Sequence, residues 1–144
     1  MVLFLDFDGV LHPFSPTNRE GAKDFGLLPQ LEGVLREYPH VEVVITSTRR
    51  LTTLLVGLRR AFSADIAKRV IGVTPSMPFL NLSIGQRQAE IEAWLRGKGR
   101  ESEPWVALDD RADLFQPDAP LILCCNGITD TEISQLSAHL SSAR

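Results

Sequence analysis

The sequence predicts an α/β fold, in which helices cover a mostly parallel, five-stranded sheet. Short apolar runs alternate along the chain with amphipathic stretches, and this alternation is typical of parallel strands connected by helices. The chain has 144 residues, of which 44% are hydrophobic and 23% charged. That composition excludes a disordered chain and a membrane protein, and the length is that of one domain. We therefore expect residues 1–144 to form a single domain.

Five apolar runs are the predicted strands. Each is about five residues long and rich in Val, Ile, Leu or aromatic residues, which are the residues that strands favour. The runs cover residues 2–6, 41–46, 70–73, 105–108 and 121–125.

Apolar residues at helical spacing predict helices between these strands. The first helix covers residues 29–38 and has Pro near its start. The next carries the apolar residues of 51–62 and directs Arg59 and Arg60 outward. A short helix is expected after Ser63, whose hydroxyl is suited to cap it.

Two further helices complete the pattern. One covers residues 85–96, and the last begins at Thr129 with the capping-box pattern Thr129-Asp-Thr-Glu132. Residues 10–28 contain no predicted element before the first helix. A loop of that length in a compact domain is usually functional.

Charge and cysteine content limit the partners and the compartment. A net charge of −3 argues against binding nucleic acid by bulk charge, although it leaves room for local basic clusters. The first apolar run is too short for a secretion signal or a membrane span, so we expect a cytoplasmic protein. Cys124 and Cys125 are adjacent and lack metal-ligand spacing. We expect both to be buried thiols in a reducing compartment.

An acidic pair, Asp6 and Asp8, follows the first predicted strand. In an extended strand, residues two apart point to one face, so the two carboxylates would lie side by side. Burying two like charges is unfavourable unless a positive group offsets them, which predicts a cation or a reaction at this point. An acidic turn is the alternative, because Asp-Gly is a common turn dipeptide.

A second acidic pair, Asp109 and Asp110, follows the fourth predicted strand. Ligands of parallel sheets bind beyond the carboxyl ends of the strands, so both pairs can face one crevice. Carboxylate oxygens are the hard ligands that Mg²⁺ selects. The sequence therefore predicts a magnesium site there.

Hydroxyls and a cation are candidates for binding phosphate. Thr46, Ser47 and Thr48 stand where the second strand ends, and hydroxyls at such a point can hold phosphate oxygens or simply cap a helix. Arg87, near the start of a later helix, can supply a fixed positive charge or face water.

These four elements, in this order, resemble the motifs of the haloacid dehalogenase (HAD) superfamily of phosphohydrolases. Asp6-Phe-Asp8-Gly-Val10 is similar to the first motif and the hydroxyl of Thr46 or Ser47 to the second. Arg87 stands at the third motif, and Leu108-Asp-Asp110 stands at the fourth.

The resemblance implies a Rossmann-like, three-layer α/β/α sandwich with the first strand near the centre of the sheet. It also implies a phosphatase in which Asp6 attacks phosphorus and forms an aspartyl-phosphate, while Asp8 acts as general acid and then base. Thr46 or Ser47, with Arg87, would bind the transferring group.

The cofactor implied by the resemblance is Mg²⁺. Its implied ligands are Asp6, the backbone carbonyl of Asp8 and the fourth-motif pair, with the choice of main ligand between Asp109 and Asp110 left open.

Three further residues are assigned to substrate binding. They are Gly9, His12 and Arg49. For His12, a plain loop residue is the alternative.

The fourth motif and the spacing between motifs point to a substrate class. Asp109-Asp110-Arg111 is similar to the phosphatase domains of polynucleotide kinase-phosphatases and RNA-repair modules. Residues 10–28 and 48–86 leave no room for a cap domain, and an open crevice suits a large substrate. We expect a phosphorylated nucleic-acid end or protein, without membrane contact. The arginines available as contacts are Arg19, Arg49, Arg50 and Arg111.

Other classes of function fit parts of this pattern. One is a phosphate- or Mg²⁺-binding module without turnover, such as a receiver-like switch, and another is a purely structural relative of the phosphatases. A receiver would need a phosphoacceptor after the third strand and a Lys after the fifth, which this sequence lacks. A third alternative is a phosphatase of small metabolites.

Overall fold

A computed structural model describes residues 1–13 and 24–143. Its sheet has five strands in the order β3-β2-β1-β4-β5, and every neighbouring pair is parallel. This confirms the predicted α/β class and the strand count. The strands are β1 (Val2–Leu5), β2 (Glu42–Ile45), β3 (Val70–Val73), β4 (Trp105–Asp109) and β5 (Leu121–Leu123).

Strand β1 lies at the centre of the sheet and all of its residues are buried. Its last residue, Leu5, pairs with Ile45 of β2 on one side and with Leu108 of β4 on the other. Because the three strands are parallel and in register, the residues that follow them leave the sheet at the same edge.

Helices cover both faces of the sheet, as the three-layer prediction requires. They are α1 (Leu28–Glu37), α2 (Leu55–Arg59), α3 (Ala64–Ala67), α4 (Gln86–Gly97) and α5 (Asp130–Ser142). Leu3 and Leu5 of β1 belong to the core that also contains residues of α1, α2, α3 and α5. Val2 and Phe4 belong to the opposite core, against α4. The alternation along β1 therefore divides the apolar interior into two layers.

The helix predicted over 51–62 is wrong in part. The structure has a 3₁₀ turn at Thr48–Leu51 followed by the short α2. Leu51 and Leu54 are 57% and 79% exposed, so these apolar residues do not face the core. Arg59 does not point outward, because its Nε donates to the Val70 carbonyl at 2.8 Å.

The short helix expected after Ser63 is present as α3, but the prediction that the Ser63 hydroxyl caps it is wrong. The Ser63 hydroxyl donates to Glu32 Oε1 and its backbone N–H donates to Glu32 Oε2, both at 2.8 Å. The hydroxyl thus satisfies a buried carboxylate of α1 rather than the start of α3. The capping box at Thr129 and Glu132 is confirmed.

The end of the fifth strand differs from its prediction as well. Strand β5 ends at Leu123, and Cys125 beyond it is exposed, whereas Cys124 is buried. Burial raises the pKa of the Cys124 thiol to about 12, so this thiol stays protonated at neutral pH.

Neither a cap domain nor a membrane-spanning helix is found among the described residues. Residues 1–13 and 24–143 contain no cap domain over the sheet edge. Within the same residues, every helix is too short or too polar to cross a bilayer.

Candidate active site

Three carboxylates meet at the edge of the sheet where β1 and β4 end. Asp6 follows β1 directly, Asp109 is the last residue of β4, and Asp110 comes next. One oxygen from each lies within 4.8 Å of the others. Asp109 is fully buried, Asp6 is 6% exposed, and Asp110 is half-buried.

Arg87 is placed beside these carboxylates by the start of α4. The Arg87 Nη1 lies 2.6 Å from Asp109 Oδ2 and 3.5 Å from Asp6 Oδ2. One guanidinium therefore contacts two of the three clustered carboxylates, and the carboxylates outnumber it. That excess, with hard oxygen donors on several sides, fits a divalent cation such as Mg²⁺.

The unbalanced charge changes the titration of the buried acids. Burial and then the neighbouring Asp109 raise the pKa of Asp6 to about 7, although Arg87 opposes the change. Burial also raises the pKa of Asp109, against the attraction of Arg87. Without a cation, the folded protein therefore favours a proton on Asp6 near neutral pH.

The side chain of Asp8 is not one of the three clustered carboxylates. The backbone carbonyl of Asp8 stays a predicted metal ligand, while the side chain is held by Arg49 and His12. Asp8 Oδ1 accepts from Arg49 Nη2 at 2.8 Å, its Oδ2 accepts from Arg49 Nε at 3.2 Å, and Oδ1 lies 2.7 Å from His12 Nε2. The hydrogen bonds from Arg49, with a smaller contribution from His12, lower the pKa of Asp8 to about 2.

His12 is buried and supports Asp8, and its part in substrate binding stays a prediction. Its side chain is 2% exposed, and its Nδ1 accepts the backbone N–H of Phe25 at 3.1 Å. A ring nitrogen that accepts carries no proton, so the proton of the neutral ring is on Nε2, which donates to Asp8. The ring of Phe25 also stacks against the guanidinium of Arg49, 5.1 Å from the ring centre.

Gly9 has a steric role beside Asp110, and its part in substrate binding stays a prediction. Its N–H donates to the His12 carbonyl at 2.9 Å and its carbonyl accepts from Gly127 at 2.7 Å. Its φ is +80°, and a Cβ there would lie 2.4 Å from Asp110 Oδ2. Only glycine suits both the backbone conformation and the carboxylate beside it.

The three hydroxyl residues after β2 have different surroundings: two are buried and one lines the cleft. Thr46 and Ser47 are buried, and the Ser47 hydroxyl accepts the Arg49 N–H at 3.2 Å at the start of the 3₁₀ turn. Thr48 lines the cleft that contains Asp6 and Asp8. The sequence indicated the hydroxyl run but had no signal for which member faces the cleft.

The arginines expected to contact a nucleic-acid backbone differ in how far their side chains are exposed. Arg50 is excluded, because its guanidinium is buried and donates to the carbonyls of Thr46 and Thr74 at 2.8 and 2.9 Å. Arg49 is partly exposed beside Asp8, and Arg111 is exposed at the cleft. Arg19 lies outside the described residues.

The cleft beside the carboxylates has a volume of about 260 Å³. Its lining combines carboxylates, a hydroxyl and two guanidinium groups: Asp6, Asp8, Thr48, Arg87, Asp110 and Arg111. Such a cavity offers a phosphoryl group fixed positive charge, together with carboxylates whose oxygens are able to bind a cation or attack phosphorus. Fold and site together define a phosphatase-like α/β domain.

The comparison with protein families agrees with this geometry. Residues 2–133 match the model of the HAD domain in Swiss Army Knife RNA repair proteins, and the chain belongs to this family. The resemblance to the HAD superfamily stated from the sequence is thereby confirmed. No curated protein matches the chain.

The raised pKa of Asp6 predicts a pH-dependent stability of the metal-free protein. An unfolded Asp ionises near pH 3.8, whereas folded Asp6 holds its proton to about pH 7. The unfolded chain therefore binds fewer protons between these values, and stability falls as pH rises from about 4 to 7. Asp6→Asn should flatten this fall and melt several degrees higher at pH 8, since each ~1 kcal/mol is worth about 3 °C in a domain of this size.

Thermal melting with a chelator from pH 4 to 8 measures the effect. Asp118→Asn, at an exposed loop position, is the matched control and should follow the wild type. Equal pH slopes for Asp6→Asn and the wild type would contradict the buried-charge argument.

The contacts of His12 predict which ring nitrogen carries the proton. Long-range ¹H–¹⁵N spectra should show its neutral ring protonated on Nε2 and bare on Nδ1, because Nδ1 accepts the Phe25 N–H. His12→Phe should remove this signal, whereas His40→Phe, at an exposed position, should retain it. A neutral ring protonated on Nδ1 would show that the Phe25 contact is absent in solution.

Proposed function

We propose that this protein is a Mg²⁺-dependent phosphomonoester hydrolase that forms an aspartyl-phosphate on Asp6. The observation that carries the proposal is the position of Asp6, which belongs to the three-carboxylate cluster and also lines the cleft. A nucleophile in that position is close to both the cation site and the fixed charge of Arg87. Membership of the HAD family supports the same class of reaction.

The donor set at the cluster fits Mg²⁺. Asp6 and Asp110, which face the cleft, would hold it, and Asp109 would support the site from below while orienting Arg87. When bound, the ion would offset charge on the phosphoryl oxygens and keep Asp6 ionised.

In the first step of the proposed reaction, a carboxylate oxygen of Asp6 forms a bond to phosphorus and the ester P–O bond breaks. The leaving oxygen takes a proton from Asp8. In the second step a water molecule gives a proton to Asp8 and its oxygen attacks phosphorus, which releases Asp6 and inorganic phosphate. Two easier displacements thus replace one difficult displacement.

The surroundings of Asp8 favour its role as a base and oppose its role as an acid. Arg49 and His12 stabilise the carboxylate, which is the form that accepts a proton from water. The acid role needs Asp8 protonated, and that form becomes more stable if the guanidinium of Arg49 turns from Asp8 toward an anionic substrate. In the proposed mechanism, Arg49 therefore contacts Asp8 before the substrate binds and contacts the substrate afterwards.

The transferring group would be bound by groups that converge on the cleft. Arg87 supplies a positive charge whose position is fixed by Asp109. Thr48 offers its hydroxyl at the lining, and Thr46 or Ser47 would act from the buried end of β2. Oriented donors of this kind stabilise the charge of a phosphoryl transition state.

We infer that the substrate is a phosphorylated nucleic-acid end. The family description names RNA repair proteins, and no cap domain covers the cleft in the described residues. Arg49 and Arg111 are the arginines placed beside the cleft for contacts to a phosphate backbone. Because the net charge is −3, these contacts are local rather than spread over a basic surface.

The proposed roles predict the activities of two carboxylate variants. Asp6→Asn should abolish hydrolysis because it removes the nucleophile, and Asp8→Asn should lower kcat by about 10²–10⁴-fold, the usual value of general acid–base catalysis. Chelation should stop the wild-type reaction and Mg²⁺ should restore it. Phosphate release from a panel of phosphomonoesters measures all three effects.

Asp118→Asn serves again as the control and should keep the wild-type rate. Full activity of Asp6→Asn would exclude the aspartyl-phosphate mechanism. Phosphate and Mg²⁺ binding by the wild type without any turnover would instead favour the non-catalytic binding module.

The inferred substrate predicts a preference and a salt response. The kcat/KM for a phosphorylated oligonucleotide should exceed that for sugar phosphates, and should fall as ionic strength rises because backbone contacts are screened. Arg49→Gln should weaken the salt response, whereas Arg60→Gln, at an exposed position outside the cleft lining, should not. A preference for a free metabolite, insensitive to salt, would identify a small-metabolite phosphatase.

A further inference from the structure

A second cavity, of about 240 Å³, adjoins the cleft. It shares Thr48, Arg87 and Arg111 with the cleft lining, so the two spaces lie side by side. We call it the side groove. The segments after β2, β3 and β4 contribute to its lining, together with α4.

The floor of the side groove is preorganised by a buried ion pair. Arg50 Nη2 lies 3.2 Å from Glu90 Oε1, and both side chains are almost fully buried. Glu90 Oε2 accepts the Met77 N–H at 2.8 Å, and Gln86 Nε2 donates to the Met77 carbonyl at 2.8 Å. These bonds fix the segment that carries Pro78, so the groove keeps its shape without a ligand.

The side groove differs chemically from the cleft because apolar side chains form part of its lining. Leu51, Pro78 and Leu114 line it, and Leu51 is 57% exposed although it lies in an ordered 3₁₀ turn. Packing of the core does not require a large apolar side chain at this position. An occupant that covers Leu51 would remove its apolar surface from water.

Arg111 stands at the junction of the side groove and the cleft. Its guanidinium donates to both carboxylate oxygens of Asp113, at 3.1 and 2.6 Å. In-plane pairing of this kind leaves the faces of a guanidinium for stacking on a planar ring. Apolar walls beside a guanidinium are the surroundings in which unstacked nucleobases are bound.

We propose that the side groove binds the base of the nucleotide whose phosphate lies in the cleft. This inference rests on the proposed function and deepens it, because it assigns a position to the nucleoside. A sugar or polyol would not gain from the apolar walls, whereas a planar base covers Leu51 and Pro78 and contacts Arg111. The base then adds affinity at a fixed distance from the phosphoryl group.

The test compares phosphorylated dinucleotides with analogues that lack the base on the phosphorylated nucleotide. The phosphate is placed on the 5′ end in one pair and on the 3′ end in the other. For the wild type, kcat/KM should be about tenfold higher with the base, a factor within the range that stacking of one base supplies. The ratio of the two kcat/KM values is the readout.

Leu51→Asn should bring this ratio close to one, mainly through KM. Leu54→Asn is the matched control: Leu54 is also exposed but does not line the side groove, so its variant should keep both the wild-type ratio and the wild-type rates. A wild-type ratio of one at both ends, or an unchanged ratio in Leu51→Asn, overturns the inference.

Two additional measurements separate this inference from the proposed function. Hydrolysis of glycerol phosphate with no effect of the base would leave the phosphatase in place and overturn the base site. If the wild type hydrolyses no phosphomonoester, the proposed function fails, and binding of a nucleoside monophosphate decides the base site. Shifts of the Leu51 methyl resonances with the nucleotide but not with ribose phosphate would support it, and equal shifts would overturn it.

A phosphotyrosine peptide provides the remaining comparison, because its ring is planar and carries a phosphate. Hydrolysis of this peptide with the same dependence on Leu51, and without activity on nucleotides, would overturn the assignment of a nucleobase.

Discussion

The burial of Asp6 and Asp109 beside one guanidinium is the interaction on which the rest of this structure depends. Two neighbouring strands must end in register for these carboxylates to meet, and α4 must begin where Arg87 can reach both. The arrangement is unfavourable for the metal-free fold, since burial raises the pKa of both acids. Such a cost is typical of sites where binding or chemistry, rather than stability, determines the residues.

The fold could be predicted because its strands are short apolar runs between amphipathic helices, and because β1 is buried on both faces. The prediction failed where apolar residues serve another purpose than the core. Leu51 and Leu54 have helical spacing but are exposed, and Leu51 lines the side groove. Hydrophobic periodicity cannot distinguish a side chain that faces the core from one that is exposed at the surface.

The sequence predicted which residues form most of the candidate site, but it did not predict several of the contacts between them. Asp6, Arg87 and the Asp109-Asp110 pair come together as the motifs indicated. Asp8 does not join them, because β1 ends at Leu5 and the rule that residues two apart share a face applies only within a strand. The contacts of Asp8 with Arg49 and of His12 with Phe25 join distant parts of the chain, and no local pattern encodes them.

Gly9 and Asp110 are separated by about a hundred residues in the sequence but are in direct contact in the structure. A methyl group on Gly9 would overlap a carboxylate oxygen of Asp110. The first and fourth motifs are therefore not independent signatures. A homologous chain with a side chain at position 9 would need a smaller or displaced residue at position 110, and its acidic cluster would change with it. A search that scores the two motifs as a pair would use this steric dependence to separate chains with an intact acidic cluster from those that retain only the fold.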